Sequence, residues 1–274
     1  MRLLFLSALS FCCYFSLSAQ TSIAFHTTMK PGVVYRQNMQ TETSLALNYD
    51  SMSPELKAAL QNNPAIENAK KMQVMMETEA RCGKPDPGTG IMPVRMTVTK
   101  DSGSMIATVL PVGSNFYGHV SPGKLPVFDS TDISGGTQTQ AMLDMMKNIS
   151  VSVALPDTTM SVGQTYAQVI PIDIPTGAIK LKMVMTQAFT LKGYSKDTTG
   201  FDIVVKGTLD VGGADVPITG TAEGVGHMIY DRKESYPTYT RLSLRMRIAV
   251  SQAGNVMHME VGSKQLIQCV IVKE

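Results

Sequence analysis

Residues able to do chemistry are sparse in this chain. The four histidines, His26, His119, His227 and His258, are scattered, and neither a His-Glu-x-x-His helix, a Gly-x-Ser-x-Gly elbow, a phosphate loop nor an ordered glycine fingerprint occurs. Two histidines stand out because each follows a glycine, in Gly118-His119 and Gly226-His227. Imidazoles at matching places in two halves could meet near a pseudo-twofold axis and bind a metal, but a site needs further ligands and groups that orient them. The plainer reading is a strand start whose glycine serves backbone shape. The sequence therefore predicts no catalytic residue, no metal and no cofactor.

Methionine is the second chemical signal, with 20 Met against 8 Phe and no Trp. Soft thioethers select Cu(I), and "MVM" at 183–185, "MHM" at 257–259 and "MLDMM" at 142–146 resemble Met-rich copper-binding stretches. A Cu(I)-binding protein is thus one alternative. Strand geometry counts against it, because Met183 and Met185 share a face with Leu181 and Phe189, while Met257 and Met259 point away from His258. Met is also the residue of adaptable apolar surfaces. A curved sheet with Val74, Met76, Met183, Met185 and Phe189 on its inner face, closed by Met142 and Met146, would leave room for an acyl chain; the bland counterpart is a solid core that happens to use methionine.

Strands must position these side chains. "LKMVMTQAFTL" at 181–191 and "MQVMMETEARC" at 72–82 both alternate with period two, as do "MPVRMTVTK", "FDIVVKGTLDV", "RLSLRMRIAV", "NVMHMEV" and "KQLIQCVIV". Gly, Pro, Asp and Ser clusters between them read as hairpin turns, which favours an antiparallel meander. Two segments break the period. "SPELKAALQNN" starts with Ser53 as an N-cap and Pro54 at the first helical position, and "TQTQAMLDMMKNIS" carries a helical stripe of Met142, Leu143, Met145 and Met146. The expected fold is mainly β (α+β): a long curved antiparallel sheet or half-barrel with two short helices packed on it.

Three pairs of segments echo each other in the same order: 72–82 with 181–191, Gly118-His119 with Gly226-His227, and "PGVVY" at 31–35 with "VGQTY" at 162–166. They predict two related halves, about 31–155 and 156–274, within a single β-rich domain over 20–274 and around one shared core.

Arg2 followed by "LLFLSALSFCCYFSLSA" is the pattern of a secretory signal peptide over 1–19, cleaved after Ala19. A lipoprotein is the competing reading, but Phe11 precedes Cys12 where a small residue is needed. No later segment approaches the ~20 apolar residues of a transmembrane helix. Losing Arg2 takes the net charge from +2 to +1, without a basic block, so nucleic acid is not an expected partner. Arg241, Arg245 and Arg247 alternate with Leu242, Leu244, Met246 and Ile248, as on the solvated face of a half-buried strand. Only Cys82 and Cys269 remain after processing, and an oxidising compartment invites a disulfide between them, with two buried thiols as the alternative.

The leader ending in "SLSAQ", the "LPDTTMSVGQTY" segment and the late "GVGHMIYD" strand resemble uncharacterised secreted envelope proteins of Bacteroidota. The resemblance implies a periplasmic or other cell-envelope location and no known chemistry. At fold level the expected sheet is similar to the open half-barrels of periplasmic lipoprotein carriers. Four Asp-Ser/Thr pairs resemble the short O-glycosylation signal of such envelope proteins and would make Ser51, Ser130, Thr158 and Thr198 acceptors; the plainer reading is ordinary turn chemistry. The function expected from all this is a non-enzymatic envelope protein binding an apolar or lipid-like ligand. The alternative is a structural or interaction module that binds another envelope protein and has a solid core.

Overall fold

The computed structural model describes residues 22–51, 53, 54, 57, 58, 71–102, 110–122, 124–133, 143, 155, 157–176, 179–210, 218–252 and 255–273. The leader over 1–19 lies outside them. The alternating runs form the strands β1 (Ile23–Phe25), β2 (Val33–Ser51), β3 (Lys71–Cys82), β4 (Met92–Ser102), β5 (Asn115–Val120), β6 (Val127–Thr131) and β7 (Thr158–Met160). They continue as β8 (Thr165–Thr176), β9 (Ile179–Tyr194), β10 (Thr198–Asp210), β11 (Ile218–Asp231), β12 (Tyr236–Gln252) and β13 (Asn255–Lys273). The protein is mainly β.

Among the described residues, eleven strands form one antiparallel sheet that does not close, in the order β6-β5-β4-β3-β2-β13-β12-β11-β10-β9-β8, and β1 pairs with β7 in a separate ribbon. Each meander, β2 to β6 and β8 to β12, runs through the sheet in the same direction, and β13 joins them head to tail. Strands carrying the echoed segments therefore occupy like positions, six strands apart. Gly32 and Gly163, which open β2 and β8, both have left-handed backbones at φ 67° and 86°, a conformation that glycine adopts without steric cost. The buried Met29 and Met160 precede them at equivalent places.

Local chemistry closes the hairpins. Between β9 and β10 the Ser195 hydroxyl accepts from the Asp197 and Thr198 amides at 3.3 and 3.0 Å, and between β11 and β12 the Asp231 carboxylate accepts from the Lys233 and Glu234 amides, both at 2.8 Å. These are side-chain-built turns. The sheet edges are blunted: β6 has five residues, and β8 carries Pro171 and Pro175.

The two expected helices are not among the elements. Pro54, Lys57, Ala58 and Leu143 are helical, and the Lys57 amide donates to the Ser53 carbonyl at 2.9 Å, but most of 53–63 and 137–150 lies outside the described residues.

Among the described residues, the buried apolar side chains gather in two clusters. The first gathers Tyr35, Met76, Val94, Met96, Phe116 and Phe128 with Tyr236 and Cys269; the second gathers Phe25, Met160, Phe189, Leu191, Phe201, Ile203, Met228 and Tyr230. Phe25 on β1 meets Phe201 and Tyr230 edge-on, with centroids 5.0 and 5.6 Å apart. The chain then passes from one cluster to the other between β1 and β2. Lys30 anchors this strap, donating to the Lys233 carbonyl at 2.6 Å and to Glu234 at 3.0 Å. That hydrogen bond holds the Glu234 carboxyl below its ordinary range.

Candidate functional site

Alternation gives the large sheet a core face and an outer face. Arg241, Arg245 and Arg247 are exposed on the outer face, where Arg245 meets Glu260 at 3.3 Å and Arg247 meets Glu223 at 3.5 Å. This is the solvated face that the sequence predicts.

On the core face, ladder register aligns side chains into rows across the strands. Leu191, Phe201, Met228, Thr240, Ile267, Met39 and Met76 form one row; Leu191, Phe201 and Met228 belong to the second cluster, Met76 to the first with Met39 packed against it, and Thr240 and Ile267 are buried between them. Further along the same strands lie two rows with no charged or aromatic member. One runs Ile170, Met185, Gly207, Ala222, Met246, Val261, Leu45. The other runs Met183, Leu209, Gly220, Ile248, Met259, Leu47.

Burial changes along these rows. Ile170, Met183, Leu209 and Ala222 are buried yet belong to neither cluster, whereas Met246, Ile248, Met259, Val261, Leu45 and Leu47 are half-buried. The track is closed toward β8 and open toward β2. From β9 to β2, six strands at ~4.8 Å spacing make it roughly 24 Å long.

Glycines let side chains of neighbouring strands lean across this face. A Cβ on Gly226 would lie 2.5 Å from the Arg241 carbonyl oxygen and 3.1 Å from Leu242 Cδ1, and one on Gly224 2.7 Å from the Ser243 oxygen. Leu242 and Leu244 thus lie across β11 where side chains are missing. At Gly207 the nearest atoms to such a Cβ are Ala222 Cβ and Met185 Cγ, each at 3.2 Å. Met185 fills that gap with an unbranched chain that can change rotamer.

The expected lining residues take the expected face but are not brought together. Val74 and Met76 are on β3, while Met183, Met185 and Phe189 are on β9, six strands away. Met76 belongs to the first cluster; Phe189 belongs to the second, with Met185 packed against it. Met142 and Met146 lie outside the described residues. The space beside Met76, between Met29, Met39, Met96, Phe128 and Tyr236, is only about 70 Å³, far below the ~300–1,000 Å³ of ligand cavities. A groove of about 920 Å³ follows Leu209, Gly220, Ile248, Met259 and Leu47, but Thr208, Thr221, Arg247 and Glu260 also line it, so its walls are less apolar than the row itself.

His119 and His227 occupy like positions on β5 and β11, on the outer face and six strands apart, His119 half-buried and His227 exposed, so they do not form a pair. The expectation of an approach near a pseudo-twofold axis fails because the two meanders run through the sheet in the same direction. Each faces a carboxylate instead, His119 Nδ1 at 3.2 Å from Asp129 and His227 Nδ1 at 3.4 Å from Asp202. Among the described residues no three His, Cys, Asp or Glu side chains converge on a metal position. His258 is exposed, on the opposite parity from the half-buried Met257 and Met259.

Cys82 and Cys269 are free and buried. β2 lies between their strands, which separates the Cα atoms by roughly 9–10 Å or more, beyond the ~7 Å reach of a disulfide. Desolvation pushes the Cys82 thiol up to about 11 and the Cys269 thiol up to about 12. The Tyr35 and Tyr236 rings meet at a tilt with centroids 4.8 Å apart, and the Tyr236 hydroxyl accepts from Gln37 Nε2 at 2.8 Å.

Of the four Asp-Ser/Thr pairs, only Asp197-Thr198 closes a turn. Ser130 is exposed on edge strand β6, Thr158 is half-buried at the start of β7, and Ser51 ends β2, its side chain outside the described residues. No helix among the described residues is long and apolar enough to cross a membrane. No protein-family model matches the chain, and a search of curated proteins finds no match.

Proposed function

We propose that the chain is a non-enzymatic cell-envelope protein that binds an apolar, lipid-like ligand along the two uncharged rows of its core face. One observation carries the reading: Ile170, Met183, Leu209 and Ala222 are buried outside both packed clusters, and their rows continue into half-buried Met246, Ile248, Met259 and Val261. The roughly 24 Å track exceeds the ~15 Å that a lipid chain spans in one leaflet. The ligand position thus lies away from the Val74 and Met76 side, at the β9 end and beyond it.

Native mass spectrometry of the mature chain, purified without detergent, together with displacement of a fluorescent fatty acid, tests the reading. It expects co-purified lipid or saturable displacement. Absence of both removes it.

A structural or interaction module is the second reading, favoured by the mere 70 Å³ beside Met76. Short β6 and the prolines of β8 argue against docking by edge-strand addition. Such a partner would bind through a face.

A further inference from the structure

Between the packed row and the apolar rows runs a third line of core-face residues: Gln168, Gln187, Val205, Gly224, Leu244, Ser263 and Thr43. Its β8–β9 end is anomalous. Gln187 is 5% exposed, and its cross-strand neighbour Gln168 has an amide nitrogen that is buried without a hydrogen-bond partner. Apolar side chains flank the pair on both sides: Tyr166, Phe189 and Ile203 toward the packed cluster, Ile170 and Met185 toward the track. An amide donor buried without an acceptor costs about 1–3 kcal/mol, so the Gln168 amide, beside the buried Gln187 in an apolar setting, requires an explanation.

We propose that Gln168 and Gln187 anchor the polar end of the ligand, which is an amphiphile with an acyl chain and a neutral carbonyl or hydroxyl head. This rests on the reading of the apolar rows as a ligand track. The chain would lie from Ile170 and Met185 toward Ala222 and Met246, and Met185 would swing from its place over Gly207 as the chain enters. A carbonyl at the β8–β9 end would accept from the buried amide. The three rows contain no charged residue, so an ionised carboxylate or phosphate head would be buried there without a counter-charge. The head is therefore neutral.

The test uses the mature chain, its Gln168→Leu/Gln187→Leu double variant and a fluorescent acyl probe displaced by methyl hexadecanoate or by hexadecane, each delivered from cyclodextrin. The wild type should prefer the ester by about tenfold, the effect of one or two hydrogen bonds. The variant should bind hexadecane as before and lose the preference to within about twofold. A variant that keeps the preference overturns the anchor and leaves the apolar track standing; a wild type that never binds the probe overturns both.

Thermal unfolding supplies the second readout. Leucine has nearly the shape of glutamine and removes an orphaned donor, so the double variant should melt at or above the wild-type temperature. Melting well below it would make the glutamines structural and overturn the anchor.

Discussion

Strands β9 to β12 build one face in two ways. At one end Phe189, Phe201, Met228 and Tyr230 close on Phe25 and are almost wholly buried; at the other Ala222 is buried while Met185, Gly207 and Met246 are half-buried, leaving an uncharged surface that is incompletely covered. Both ends obey the same alternation. The difference lies in side-chain size and in cover, because aromatics and the β1–β7 ribbon fill the first end, while glycine, alanine and methionine occupy the second. Alternation decides which face is apolar, and volume decides whether that face packs against itself.

Paired truncations should separate the two ends most sharply. Phe201→Ala should cost about 3–5 kcal/mol in urea unfolding, as expected for a deeply buried aromatic, while Ile248→Ala in the half-buried row should cost about 1 kcal/mol. Equal losses would mean that the track is as solidly packed as the cluster. Gly226→Ala should come next, at about 1–3 kcal/mol, because the added Cβ meets a backbone oxygen that cannot swing aside. A neutral result there would show that β11 does not need its bare strip.

Alkaline titration probes the first cluster. Cys82, Cys269 and Tyr35 are held protonated by burial, up to about 11, 12 and 12, so the unfolded chain releases their protons first as pH rises. Their contribution is complete below the unfolded thiol value of about 9 and is lost as pH climbs through the folded values. Stability should therefore fall between about pH 9 and 12, and Cys82→Val/Cys269→Val should flatten the early part of that fall. Thiol counting on denatured, unreduced protein should find both cysteines reactive. The smallest effect belongs to the outer face, where Arg247→Ala should stay within about 1 kcal/mol.

Much of this was legible in the sequence, and the limits are physical. Period two placed Val74, Met76, Met183 and Phe189 on the correct face and Arg241, Arg245 and Arg247 on the other. Alternation says nothing about which distant strand comes alongside, and the pairing of β13 with β2 follows from no short turn. That single junction sets the two meanders head to tail, parts His119 from His227, and puts β2 between Cys82 and Cys269. The second cluster draws on β1 and β7, strands of three residues each, too short for a periodic signal. Their trace was the repeated Thr-Thr-Met before each left-handed glycine, at 27–29 and 158–160. Gln168 and Gln187 were hidden because a polar residue at one inward position looks like ordinary variation until its neighbours on both sides prove apolar.

A charge placed in the middle of the track tests the central claim most directly. Val261 is half-buried between Met246 and Leu45, so Val261→Lys should leave folding nearly intact and weaken binding of a fluorescent acyl probe by tenfold or more, since a buried lysine without a partner is strongly disfavoured. Saturable binding by the wild type and its loss in this variant is the result expected. Equal binding by the two proteins, or none by the wild type, would contradict the account.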